Sequence, residues 1–251
     1  MRLRFKSAAA AAPAPEPLHA DTPELTGANL AAVYYGQRMA GDFYDFLRVS
    51  RNRVMFGLLD VAGRHRDAVT VLSATQQVFR TRAAELFQSE EMNEAEAMIE
   101  LCLELNRTIL QTGGGVRSCP AFVGCYQEDL GTVCYFNAGH TPGLLHHRSG
   151  ITELPATGLP LGLFSHATCD APTVAVEPSG IFLLVSRGVV EATRSGQEFG
   201  LSRAIETLQQ NSPQDAKEVC VSIVENVRRF MRTPPTHNDV TALALARDPA
   251  P

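Results

Sequence analysis

The sequence predicts an α+β domain with antiparallel sheets, and three observations carry that expectation. Apolar and alternating runs of strand length dominate two blocks of the chain. Helical periodicity fills two others, and the strand runs follow one another through short turns rather than alternating with helices. A doubly wound parallel sheet would show strict strand–helix alternation, which this chain does not.

The elements come in order. "NLAAVYYGQRM" and "FYDFLRV" read as strands, and "RVMFGLLDV" is a continuous apolar run suited to a buried strand. "RNR" (51–53) separates the last two in hairpin fashion. The period then changes. Val69, Leu72, Phe79 and Leu86 predict a helix, and Met98, Ile99, Cys102, Leu103, Leu105 and Leu110 predict a second with one apolar side. "QTGGGV" ends it as a loop, because a phosphate-binding loop would continue into Gly-Lys-Ser/Thr. "PAFVGCYQ", "GTVCYFNA", "GLLHHRS", "ITELP", "TVAVEP" and "IFLLVS" then read as strands divided by turn residues. Helices return at "LSRAIETLQQ" and "PQDAKEVCVSIVENVRRFMR". For the latter, Ser212 is the expected N-cap, with Pro213 in the first turn and Asp215 in capping-box position. "DVTALALA" is a closing strand.

Composition bounds the function. The 251 residues suit one large domain with a sizeable core, 45% of them being hydrophobic. A net charge of −5 argues against a nucleic-acid surface, and the chain lacks the apolar run of about 18 residues that spans a membrane. Cys102, Cys119, Cys125, Cys134, Cys169 and Cys220 lack CxxC pairing, so they read as small buried hydrophobes of a reducing, cytoplasmic compartment. Residues 1–25 are Pro-Ala-rich and read as a tail or linker, which leaves 26–251 as the domain.

Carboxylates stand at the ends of predicted strands. Asp42 and Asp45 lie in "AGDFYDF", Asp60 ends "VMFGLLD", and Asp239 opens the last strand. Each alone suits a local turn bond. Gathered in one cleft without a basic partner they repel one another, an arrangement worth holding only around cations.

These residues sit in blocks that resemble a known family. "GDFYDF", "LDVAG", "FNAGHTPGLLHHRSG", "LPATGLPLGLF", "VSRGVVEA", "EFGLSRAIETL" and "NDVTALAL" resemble, in order, the metal-dependent (PPM, or type 2C) serine/threonine protein phosphatases, specifically their bacterial stage II sporulation phosphatase-like branch. The resemblance covers about residue 29 to residue 247. It implies an αββα sandwich of two antiparallel sheets flanked by helices, with a binuclear Mg²⁺ or Mn²⁺ site at one end. By the same resemblance Asp60 bridges the metals, the carbonyl of Val61 adds a ligand, and Asp42 supplies a further carboxylate, with Asp45 as second choice. Asp239 matches the "DDVT" aspartate. The implied activity is phosphoserine/phosphothreonine hydrolysis on a small regulatory protein, such as a phosphorylated anti-sigma-factor antagonist.

One block departs from the pattern. The family's "TDG" reads "SRG", placing Arg187 where a third metal-binding aspartate belongs. Either the guanidinium takes a cation's place beside the carboxylates, or it turns to solvent and a second metal binds weakly through Asp60, Asp239 and water. The first placement leaves one metal site and raises a second reading, a pseudophosphatase that binds a phosphoprotein without hydrolysing it. Arg64 and His65, in "DVAGRHRD", are further candidates for gripping a phosphate or merely solvated residues at a helix start. His140, in "NAGH", is expected to support the fold.

Overall fold

A computed structural model of the protein describes residues 22–36, 41–61, 65–112, 118–166, 168–210, 215–232 and 239–250, without the side chains of 65–67. One sheet has the order β1 (Ala28–Tyr35), β12 (Val240–Arg247), β9 (Ile181–Val185), β6 (Gly143–His147), β7 (Gly150–Leu154). The other runs β2 (Gly41–Arg48), β3 (Arg53–Val61), β4 (Ala121–Gln127), β5 (Thr132–Ala138), β8 (Thr173–Ala175). Every pairing in these two sheets is antiparallel. Helices α1 (His65–Leu86) and α2 (Glu94–Thr112) cover the second sheet, while α4 (Gly200–Gln210) and α5 (Ala216–Met231) cover the first. A single turn, α3 (Arg187–Val190), follows β9, and a small hairpin pairs β10 (Thr193–Arg194) with β11 (Gln197–Glu198). The expected αββα sandwich is what forms.

Three apolar clusters hold the layers together, and strand parity explains them. Along β3, Val54, Phe56 and Leu58 enter the inter-sheet cluster with Phe122, Phe182, Leu243 and Leu245. The intervening Met55 and Leu59 point the other way, against Val71, Phe79, Met98 and Leu105 of α1 and α2. The third cluster sets Val185, Ala242 and Ala244 against Val219, Ile223 and Val227 of α5. A strand buried on both faces must be apolar throughout, which is why β3 reads as a run and not as an alternation. Each fully buried Phe contributes about 2–3 kcal/mol of transfer free energy, so the inter-sheet layer is a major source of stability.

Three details differ from the sequence reading. The buried face of α1 runs through Ala68, Val71, Thr75, Phe79 and Ala83, a stripe rotated from Val69, Leu72 and Leu86, which are only partly buried. On α2, Leu103 and Leu110 are exposed, because the core-facing stripe is Met98, Leu101, Leu105 and Ile109. The N-cap of α5 is Asp215, whose carboxylate accepts from the N–H groups of Lys217 and Glu218; Ser212 lies outside the described residues, as does most of "QTGGGV". The six cysteines are free, and five are buried while Cys169 is half-buried. Residues 1–21 are not among those described, whereas Leu25 packs on the inter-sheet cluster and the Thr26 N–H bonds Glu128 at 2.7 Å.

Candidate active site

The same parity gathers the polar residues. On β2, Tyr44 and Phe46 face the opposite sheet, so Asp42 does too; on β3, Leu58 faces it and so does Asp60. On β12, Leu243 and Leu245 point inward, which turns Thr241 and Asp239 inward as well, and on β9, Leu184 sets the direction of Ser186. All five polar residues lie where their strands leave the apolar layer at one end of the sandwich. Asp42 and Asp60 are direct register partners across β2 and β3, a position where Cβ atoms stand about 5 Å apart and like charges destabilise the pair.

The two sheets are stitched together at this end. Thr241 Oγ1 donates to Asp42 Oδ2 at 2.8 Å, which ties β12 to β2 across the sandwich. Ser186 Oγ donates to the Asp239 carbonyl at 3.2 Å and accepts from the Thr241 N–H at 3.0 Å. Gly36 abuts Asp239, since a Cβ there would lie 2.2 Å from its Oδ1. Gly41 serves the neighbouring strand, because a Cβ on it would come within 2.5 Å of the Val61 carbonyl oxygen. The glycine before Asp42 therefore keeps that carbonyl clear.

Arg187 enters this carboxylate group. Its Nε lies 3.0 Å from Asp60 Oδ2 and 3.8 Å from Glu191 Oε2, one helical turn along. The Nε–H is not aligned on an acceptor, so the contact with Asp60 is an ion pair rather than a directed hydrogen bond. Burial raises the pKa of Asp60, and the facing guanidinium opposes that rise while Glu191 adds to it. Asp42, with no cation beside it among the described residues, is pushed up to about 7. Burial is the larger cause, then the charge of Asp60, with the hydrogen bond from Thr241 opposing and Asp239 adding a little. The pair is thus asymmetric, with one carboxylate neutralised by arginine and the other by a proton near neutral pH.

Comparison with known proteins places this geometry. The profile of the stage II sporulation protein E (SpoIIE) family matches residues 50–248. The chain belongs to this family. The phosphoserine phosphatase RsbP of Bacillus subtilis is 24% identical over 171 residues, 67% of this chain and 41% of that protein. The chain spans less than half the length of the two curated relatives it matches. The crystal structure of the RsbU and RsbW domains of Rv1364c from Mycobacterium tuberculosis superposes with a TM-score of 0.71 at 22% identity, covering 91% of this chain and 62% of that one. The PP2C phosphatase domain of SpoIIE from Bacillus subtilis, solved with a fragment of its regulatory domain, gives 0.71 at 15%, covering 88% and 62%. Solved structures of the same fold carry magnesium or manganese.

Asp42, Asp60, the Val61 strand end and Asp239 come to one end of the sandwich, and Arg187 reaches Asp60. Asp45 does not join them. Three residues on from Asp42, it faces the helices, where it is 1% exposed and accepts from Arg80 at 2.7 and 2.8 Å and from Gln76 at 3.1 Å. That is a structural use of the carboxylate, and it removes Asp45 as the second-choice ligand. Arg64 lies outside the described residues, and His65 opens α1 with its side chain undescribed. His140 is buried, its backbone N–H held by Asn137 and its ring by Thr141, and burial lowers its pKa to about 4. Among the described residues, no three His, Cys, Asp or Glu side chains are grouped to hold a metal ion. Ser186, Thr241 and Gly36 were not singled out in the sequence, although strand parity with Leu184 and Leu243 would have placed the first two.

Proposed function

We propose that the protein is a PPM-type phosphoserine/phosphothreonine phosphatase acting on a small regulatory phosphoprotein, with one Mg²⁺ or Mn²⁺ and with Arg187 standing in for the second cation. The membership of the SpoIIE family and the similarity to a phosphoserine phosphatase support the general class. The observation that carries the finer reading is the 3.0 Å approach of Arg187 to Asp60. Asp42, Asp60 and the Val61 carbonyl suit one hard cation, since the facing carboxylates lack a second neutralising group and Gly41 leaves the carbonyl uncovered. When bound, that ion supplies Lewis-acid activation of the attacking water and neutralises phosphoryl charge. Thr241 holds Asp42 in place, and Glu191 steadies the guanidinium, whose remaining donors can orient phosphoryl oxygens.

A second reading, a pseudophosphatase that binds a phosphoprotein without hydrolysis, is favoured by the absence of a three-carboxylate metal group among the described residues. Phosphate release from a phosphoserine peptide at millimolar Mn²⁺ separates the two. Release that Asp60→Asn abolishes supports the enzyme. No release from the wild type, with the phosphopeptide still bound, supports the pseudophosphatase. Robust release untouched by Asp60→Asn would refute the site assignment, and neither release nor binding would refute both readings.

A further inference from the structure

Between β1 and the end of α5 lies a groove of about 520 Å³ lined by Tyr35, Glu225, Arg228, Arg229 and Arg232. Its floor comes from the end of β1 and its wall from the last turns of α5 and the residue that ends it. Tyr35 pairs with Val240, the residue after Asp239, and is followed by Gly36, which abuts the Asp239 carboxylate. The groove therefore lies at the same end of the first sheet as Asp239, on the face covered by α5 rather than the face that meets the other sheet.

Three guanidiniums share this small space in a chain whose net charge is −5. All three arginines are exposed, and among the described residues none forms an ion pair with a carboxylate. Arg228 lies over the Tyr35 ring, 5.8 Å from its centroid, a cation–π contact at the groove's floor. The helix dipole accounts for basic residues in the last turn of α5, namely Arg228 and Arg229. It favours a cation at the C-cap Arg232 as well, but Arg232 ends the helix in the left-handed region at φ 62°, where glycine is the usual and unstrained choice. That strained backbone turns a third cation into the groove.

We propose that this groove docks an acidic peptide segment, one lying close to the phosphorylated residue of the substrate protein. The inference rests on the reading of the site as a phosphoprotein site. The groove suits a peptide better than a membrane or a nucleic acid. The basic surface is a short recess whose lining holds three arginines against one carboxylate, Glu225, rather than a broad face or an extended stripe, so a few carboxylate side chains satisfy it. Each exposed guanidinium–carboxylate contact is worth about a factor of three, so two together set a preference of about tenfold.

Fluorescence anisotropy with four labelled peptides tests it: a phosphoserine peptide with Asp/Glu flanks, the same peptide with neutral flanks, and the unphosphorylated version of each. The wild type should bind the acidic-flanked peptides about tenfold more tightly, an advantage that shrinks with added salt. Arg228→Glu with Arg232→Glu should erase that advantage, as should Arg228→Glu alone in part, whereas Arg148→Glu, a single reversal at the β6–β7 turn, should keep it. Should the double reversal fail to fold by circular dichroism, Arg228→Gln with Arg232→Gln decides. No acidic preference in the wild type, or one that survives the folded variant, overturns the proposal. So does tighter binding to phosphatidylserine vesicles that is lost in the same variant. Equal affinity for the phosphorylated and unphosphorylated peptides, with the acidic preference kept, would sink the phosphoprotein reading while leaving the groove's assignment in place.

Discussion

Replacing Arg187 by aspartate puts a carboxylate where the sequence resemblance leads one to expect it, and its effect on metal affinity follows from the geometry. The guanidinium Nε stands 3.0 Å from Asp60. Two unit charges about 4 Å apart interact by about 4 kcal/mol at an effective dielectric of 20. The Arg187 side chain is 42% exposed, so water screens it, and about 1 kcal/mol per unit charge is the defensible figure. Arg187→Asp changes the local charge by two units, so Mn²⁺ should bind more tightly by about 2 kcal/mol, roughly thirtyfold in Kd. Arg187→Ala should give about half that free energy. Isothermal titration of Mn²⁺ near pH 8, where Asp42 is ionised, measures both. The metal-free Arg187→Asp variant should also be less stable than the wild type, with Mn²⁺ raising its Tm. If both variants bind Mn²⁺ within about threefold of the wild type, the guanidinium does not occupy a cation's position and the reasoning fails.

Other outcomes follow from the same contacts. The Asp42 pKa of about 7 in the folded state exceeds the unfolded 3.8. The folded protein therefore holds the extra proton, and stability falls as pH rises between those values, by up to about 4 kcal/mol. Urea unfolding of the metal-free protein at about pH 5 and about pH 8 reads that slope, and Asp42→Asn should flatten it. Gly41→Ala drives a methyl to 2.5 Å from the Val61 oxygen and 2.8 Å from its Cβ. It should cost about 1–3 kcal/mol in urea unfolding and weaken Mn²⁺ binding by spreading β2 from β3; unchanged values would mean the strands have slack. Arg80→Ala leaves the buried Asp45 without its bidentate partner. It should destabilise the fold by about 3 kcal/mol without altering Mn²⁺ affinity; a lost metal site would return Asp45 to the ligand set.

Strand runs and turn signals were enough to place β2, β3 and β9, because a buried strand must be apolar and ends where the apolar residues end. Helix faces were harder to read. Leu103 and Leu110 look like core in the sequence, yet α2 packs through Leu101 and Ile109, since the sheet it meets fixes its rotation. The choice between Asp42 and Asp45 was likewise open, although the two lie on opposite faces of one strand. Only the layers on either side say which face meets helices and which meets the other sheet.

The sequence by itself determined the order of elements, the family resemblance and an arginine at position 187, where that resemblance leads one to expect aspartate. These are properties of chemistry laid out along the chain. The tertiary structure alone decided that Thr241 and Asp42, 199 residues apart, share a hydrogen bond, that Asp45 belongs to Arg80, and that Arg187 turns toward Asp60 rather than solvent. Such pairings depend on how two twisted sheets face each other, and no local preference of the backbone encodes the distance between side chains on opposite layers.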